Sequence, residues 1–210
     1  MLTIHAADAV YGAAPKADCV AVDGGTVVAI GPYEDVAAAH PRARTRRWPG
    51  LITPGLVNVT ATALLESAYH PDPREADELG TEPLTGDALR ALAPDDTRWG
   101  GSARRGLQRM LRHGTTAVAG TFTRPSVRTA VSRSGLRVLG PVPAGADLPV
   151  SLDPLLGVRE LADALAGSLA VGGPADLAAF AVPDSEALVA AGAGTCVATV
   201  LGGRLVFRRS

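Results

Sequence analysis

Residues able to do acid–base, metal or nucleophilic chemistry are few and scattered in this sequence. Four histidines, His5, His40, His70 and His113, are its whole supply of imidazole. His70 lies within a dense run of carboxylates: Glu66, Asp72, Glu75, Asp77 and Glu78. One imidazole among carboxylates is a donor set that can bind a divalent metal if a rigid scaffold holds it. The same run is rich in proline and charge, which reads more simply as a solvated segment. His113 ends an amphipathic pattern just before Gly114, where a cation at the negative helix end needs no catalytic explanation. His5 and His40 are isolated and read as packed or surface residues. Cys19 and Cys196 could be nucleophiles only with a base beside them, and no histidine adjoins either in sequence. They fall on two β segments expected to pair and could be neighbours, as reduced thiols. Asp153 and Asp176 stand alone. Gly24-Gly25, Gly172-Gly173 and Gly202-Gly203 read as turns, with no phosphate-loop or dinucleotide fingerprint.

The elements that must position these residues follow from periodicity and turn chemistry. Cys19–Asp23 and Thr26–Ile30 flank Gly24-Gly25, a hairpin signal. Leu2–Val10 is apolar with polar interruptions, Tyr33–His40 allows one or two helical turns, and Arg42–Trp48 reads as an edge strand with arginines facing water. Leu56–Thr60 reads as a short buried strand. Residues 67–96 form a long loop with a short helix near Gly86–Leu92; loops of this length in compact domains are functional or mobile. Ser102–His113 is the clearest helix, with Ala103, Leu107, Met110 and Leu111 on one face. Thr115–Ala119, Pro125–Ser134 and Leu136–Leu139 complete an α-β-α-β run, the mark of parallel strands with crossovers. Gly140–Pro154 reads as a linker and Val158–Ala166 as a short amphipathic helix. Asp176–Val182, Ser185–Ala191, Thr195–Leu201 and Arg204–Phe207 then read strand, helix, strand, strand.

Composition bounds the partners. The 210 residues are 47% hydrophobic and 20% charged, enough apolar material for a core. The formal net charge is −1, which argues against nucleic acid as a partner because no basic excess faces the phosphates. Lys16 is the only lysine among twenty basic residues. No apolar run of about 18 residues suggests a membrane span. Two cysteines exclude a disulfide scaffold, and the first residues lack a charged and then apolar leader, so a cytoplasmic protein is expected.

Four segments, in order, resemble the metal-dependent amidohydrolase superfamily, in the branch of imidazolonepropionase and aminodeoxyfutalosine deaminase. Gly24-Gly25-Thr26-Val27-Val28-Ala29-Ile30-Gly31-Pro32 resembles the hairpin of that family's N-terminal sandwich. Pro54-Gly55-Leu56-Val57-Asn58 resembles the entry to its first barrel strand. Arg112-His113-Gly114-Thr115-Thr116-Ala117-Val118 resembles its second. The stretch from Gly167 through Gly172-Gly173-Pro174-Ala175-Asp176-Leu177, with Gly202-Gly203-Arg204, resembles its return to the sandwich. The resemblance implies an α/β fold: a small β-sandwich built from both termini (1–53 plus 167–210) and an inserted partial (β/α) barrel of about three parallel strands (54–166). A βα unit takes about 30 residues and a closed barrel about 250, so the insertion holds only the opening units.

The departures matter as much. Where the resembled family carries a metal-binding His-x-His on its first barrel strand, after the Pro-Gly-Leu-Val-Asn segment, this sequence has Thr60-Ala61-Thr62, and no histidine follows His113. Threonine hydroxyls are poor ligands for zinc or iron. No catalytic residue, metal ligand or cofactor is therefore assigned. Asn58, Thr60, Thr62 and Thr121, at the ends of the first two barrel strands, are the candidates to line a pocket, although threonine also simply suits a strand. The expected function is that of an amidohydrolase-like protein without metal-dependent catalysis, acting as a binding or regulatory subunit. Two alternatives stay open. One is a hydrolase of non-peptide carbon–nitrogen bonds, such as a cyclic amide hydrolase or aminopurine deaminase, completed by oligomerisation. The other is a small-molecule carrier or sensor binding at the strand ends. Three parallel strands leave two edges, so a homo-oligomer, a protein partner, or the 67–96 loop over an edge is expected.

Overall fold

A computed structural model describes residues 1–141 and 148–209. In chain order, β1 (Thr3–Ala6), β2 (Ala9–Val10), β3 (Cys19–Asp23) and β4 (Thr26–Gly31) precede the helix α1 (Tyr33–Ala39). Next come β5 (Arg44–Arg47), β6 (Leu51–Pro54), β7 (Leu56–Asn58) and the helix α2 (Ala61–Glu66). Short helices α3 (Ala76–Leu79) and α4 (Gly86–Leu92) lead to α5 (Asp96–Leu111). The middle closes with β8 (Thr115–Ala119), α6 (Pro125–Ser134) and β9 (Arg137–Leu139). The last elements are β10 (Leu177–Phe180), α7 (Ser185–Ala191), β11 (Cys196–Leu201) and β12 (Arg204–Arg208).

Two sheets are made from the ends of the chain. One has the order β4-β3-β1-β5; the other has the order β12-β11-β10-β6-β2, so strands from both ends share one sheet. Val20, Val22 and Val27 of the first sheet and Ile52, Leu177 and Val200 of the second lie in one apolar cluster between them. β5 runs along an edge with Arg44, Thr45 and Arg47 exposed, as its composition predicts.

The third sheet is parallel, in the order β7-β8-β9. Its helical side buries Val118 with Leu107 and Met110 of α5 and Val127 and Val131 of α6. Its other side buries Val57, Ala117 and Ala119 with Ala166. α5 starts earlier than its hydrophobic period suggests. Asp95 caps it by accepting from the Arg98 N–H at 2.8 Å, and Gly100 and Gly101 are buried inside it. A Cβ at Gly100 would sit 3.6 Å from Ser126 Cβ, so this glycine faces α6, and the helix runs through both glycines without a break. α6 has Pro125 in its first turn and Gly135 at its C-cap with φ 80°, where a left-handed residue is needed.

Two readings of the sequence need correction. Val158–Ala166 is not an amphipathic helix; only a 3-10 turn, Leu161–Ala164, forms there. Leu165 and Ala166 are drawn into extended pairing with β7: Leu165 bridges Leu56, and the Ala166 N–H donates to the Gly55 carbonyl at 2.8 Å. The 67–96 segment does not lie over a sheet edge; it packs along α5. Arg105 reaches Asp72, Arg98 reaches Glu75 and Arg109 reaches the Thr81 carbonyl. The linker read over Gly140–Pro154 falls partly outside the described residues.

Candidate functional site

The sequence places the candidate pocket at the ends of β7 and β8. β7 stops at Asn58, and by Ala61 the chain is already helical in α2. Asn58 is buried at 1% exposure and fully engaged. Its Nδ2 donates to the Ser151 carbonyl at 2.8 Å, and its Oδ1 accepts from the Thr60 N–H at 3.0 Å and the Thr60 hydroxyl at 3.1 Å. The same Thr60 hydroxyl lies 3.3 Å from the Ser151 carbonyl and accepts from the Ser151 N–H at 3.3 Å. Asn58 and Thr60 thus form a clasp that holds residue 151 against the end of β7. Ser151, 91 residues from Thr60, carries no chemical signal in sequence, and no periodicity could have found it.

Thr62 turns the other way. Its hydroxyl reaches the Thr121 carbonyl at 3.5 Å. Gly120, at φ 134°, makes room: a Cβ there would fall 2.1 Å from Thr62 Oγ1. Thr121 is exposed and takes part through its backbone. The four candidates therefore form two separate closures, Asn58–Thr60 onto Ser151 and Thr62 onto Thr121.

This donor set does not fit the divalent metal of the resembled family. It offers hydroxyls, amides and backbone carbonyls, without imidazole or carboxylate. Asn58 Oδ1, the best-placed oxygen, already accepts two hydrogen bonds.

The carboxylates around His70 are dispersed by specific partners. Glu66 caps α6: its carboxylate accepts from the Thr123 and Arg124 N–H groups at 2.6 and 2.7 Å and from the Thr123 hydroxyl at 2.8 Å. Glu75 accepts from Tyr69 Oη at 2.9 Å, Arg98 Nη2 at 2.7 Å and the Asp72 N–H at 2.8 Å. The Asp72 N–H bond, together with the Tyr69 and Arg98 bonds, holds the Glu75 carboxyl below its usual range. Asp72 takes Arg105 Nη1 at 3.1 Å and the Arg74 N–H at 3.0 Å. Asp77 and Glu78 are exposed. The segment is a docked, capped structure rather than the solvated loop its composition suggests.

The histidines divide by burial. His5 is buried, stacks with Trp48 at a 6.1 Å centroid distance, and accepts from Trp48 Nε1 at 3.2 Å through Nδ1. Burial, then the nearby Arg46 charge, lowers its pKa to about 4. His70 is buried at 1% exposure, not on the surface; burial, with Arg109 and Arg105 close by, lowers its pKa. His113 is also lowered, mainly by burial. Cys19 packs with Ile4, Ala6, Ala21 and Val36, whereas Cys196 packs with Leu51, Phe180 and Leu188. The cysteines therefore lie in different apolar clusters instead of adjoining, and burial raises both thiols to about 11.

Asp176, nearly buried, joins two regions. Its Oδ1 accepts from the Gly202 N–H at 2.7 Å, and its Oδ2 lies 3.4 Å from Arg137 Nε on β9.

Residues 19–43, about an eighth of the chain, match the family model of the imidazolonepropionase-like composite domain of bacteria. The match covers β3, β4 and α1, and so includes the hairpin on which the sequence resemblance began. Over these residues the chain is similar to that composite domain. Among solved structures, the chain is similar to A. niger ochratoxinase at 18% identity and a TM-score of 0.45, covering 66% of this chain and 31% of that one. It is similar to the guanine deaminase of Bradyrhizobium japonicum at 22% identity and a TM-score of 0.39, covering 58% and 27%. It is also similar to the aminofutalosine deaminase of Helicobacter pylori at 15% identity and a TM-score of 0.41, covering 67% and 33%. The chain spans about a third or less of the length of these structures. Among curated proteins, none matches it. No helix among the described residues is long and apolar enough to cross a membrane.

Proposed function

We propose that this chain is an amidohydrolase-like protein that has lost metal-dependent catalysis and acts by binding, as a subunit or regulator. One observation carries the reading. At positions 60–62, where the resemblance implies metal-binding histidines, Thr60 is spent on a clasp to Ser151 and Thr62 on a contact with Thr121. Activation of a water for hydrolysis needs a Lewis acid or a base at that place, and these side chains provide neither. The test is elemental analysis of tag-free protein purified without chelators, paired with a hydrolysis screen of cyclic amides and aminopurines. Metal well below one per chain and no turnover are expected. Metal-dependent hydrolysis by the pure chain overturns the proposal.

The partner in this reading is a second copy or another protein that meets β9. Among the described residues β9 pairs with β8 on one side only, and Val138 on it is 53% exposed. An unpaired parallel edge bearing an exposed β-branched residue favours association. Light scattering after size exclusion tests it: association is expected for the parent chain and is expected to weaken in Val138→Lys.

A further inference from the structure

A second feature lies away from the strand ends. Between α5 and the segment that follows His70 is a cleft of about 340 Å³, a size that suits a small molecule. Arg105, Arg109 and Arg112 line one wall, spaced so that they form a stripe along α5; His70 and Asp72 border the other. Asn58, Thr60, Thr62 and Thr121 do not line it.

The guanidiniums are incompletely answered. Arg105 donates Nε to the His70 carbonyl at 2.9 Å and Nη1 to Asp72 at 3.1 Å, leaving Nη2. Arg109 donates Nη1 to the Thr81 carbonyl at 3.1 Å, and its Nη2 lies 3.7 Å from Glu82, a carboxylate outside the cleft lining that is 84% exposed. The exposed Arg112 guanidinium has no hydrogen-bond or ion-pair partner among the described residues. Three cations therefore face one wall carboxylate and one solvated one. The negative end of α5 accounts for a cation in its last turn, but not for three on one stripe, where like charges repel.

His70, on the opposite wall, has a fixed tautomer. Its Nε2 lies 3.0 Å from the Leu64 carbonyl, and a carbonyl only accepts, so Nε2 holds the proton. Nδ1 is then a bare acceptor, buried and without a partner. Buried polar atoms are normally paired.

We infer that this cleft is a binding site for a compact oxyanion, a phosphate or carboxylate group of a small soluble molecule, held by Arg105, Arg109 and Arg112. Guanidinium forks match both groups, and charge-assisted bonds to them are the strong ones. This inference goes beyond the loss of catalysis and stands whether or not that proposal does.

The experiment is calorimetric titration of the intact chain with inorganic phosphate and, separately, with citrate, each against sodium chloride of equal ionic strength. Saturable binding of either is expected. Binding of phosphate alone identifies a phosphate site, and of citrate alone a carboxylate site. Arg112→Gln, which breaks no internal contact, is expected to weaken binding about tenfold, the scale of one charge-assisted bond. Arg104→Gln, an exposed change on the same helix but outside this cleft, is expected to leave it unchanged. Absence of binding above the chloride control overturns the inference, as does an Arg112→Gln variant that binds like the parent.

Discussion

Changing Gly203 to alanine should cost far more than changing its neighbour Gly202, and the difference can be worked from the structure. Both glycines have positive φ, +53° at Gly202 and +72° at Gly203. Alanine in that conformation costs about 1–2 kcal/mol at either position. At Gly202 that is the whole penalty, because a Cβ there meets nothing within 4 Å. At Gly203 the same atom would lie 1.6 Å from the Gly24 carbonyl oxygen, 2.8 Å from the Gly24 carbonyl carbon and 3.0 Å from Val22 Cγ1. Two of the three are backbone, so the two hairpins must separate. The bonds at risk hold this region together: the Gly203 N–H to the Ala175 carbonyl at 2.9 Å, and the Ala175 N–H to the Gly25 carbonyl at 2.8 Å. Losing two bonds of about 1 kcal/mol each, on top of the conformational penalty, places Gly203→Ala near 3–4 kcal/mol. That is a large part of a total stability of about 5–15 kcal/mol. In thermal unfolding, Gly202→Ala should lower Tm by about 2–8 °C and Gly203→Ala by roughly 6–16 °C, at about 2–4 °C per kcal/mol for a chain of this size. If the two variants melt within a degree of each other, the close approach of the hairpins is refuted.

Four further outcomes follow from the same reasoning. His5 is held near pKa 4 while an unfolded imidazole titrates near 6.5. Between these values the unfolded chain binds more protons, so stability should fall as pH drops from about 6.5 to about 4, by about 3 kcal/mol from this group; the His5 ring proton shift in NMR should titrate near 4, and a midpoint near 6.5 refutes the burial argument. Glu66→Ala removes the acceptor of two N–H groups at the start of α6 and should cost about 1–2 kcal/mol in urea unfolding, with Glu66→Gln costing less. Asp176→Ala leaves the Gly202 N–H without its acceptor and Arg137 without its carboxylate, and should cost about 1–3 kcal/mol by the same assay. Cys19 and Cys196 should resist a thiol reagent at neutral pH until denaturant is added; fast labelling of the native chain would contradict their burial.

Local signals were legible and distant ones were not. β3, β8, α6 and α7 begin and end where turn residues and periodicity place them, because Gly-Gly, Pro at a first helical turn and Gly at a C-cap act within a few residues. α2 carries no period long enough to read, and the first turns of α5 hide behind Gly100 and Gly101. The parallel pairing of β1 with β5 joins residues about 40 apart, which no local pattern encodes. The candidate site shows the same division. The sequence points to Asn58 and Thr60 but cannot show that Ser151 closes on both. The acidic run around His70 reads as solvated, yet Arg98, Arg105 and Arg109, one turn or two apart on α5, draw it down and bury the imidazole.

The segments that carry the resemblance also share a physical task that has nothing to do with hydrolysis. Gly24-Gly25, Gly172-Gly173 and Gly202-Gly203 are far apart in sequence and meet in space. The Val27 N–H donates to the Gly173 carbonyl at 2.9 Å and the Gly172 N–H to the Val27 carbonyl at 2.8 Å. The Gly202 N–H donates to Asp176, whose other oxygen faces Arg137 on β9. The glycine-rich segments are therefore the fastener between the two terminal sheets, and Asp176 ties that fastener to the parallel sheet. A fastener needs glycine for close backbone approach and one buried carboxylate for the exposed N–H, whatever the strand ends do. The chemistry of the resembled family rests instead on side chains at positions such as 60–62, where any residue that tolerates the start of a helix can stand without loosening the fastener. Likeness in the fastener and divergence at the strand ends are thus physically independent. The fastener motifs bear on the fold, and the clasped Asn58 and Thr60 are what bear on the proposed loss of metal chemistry.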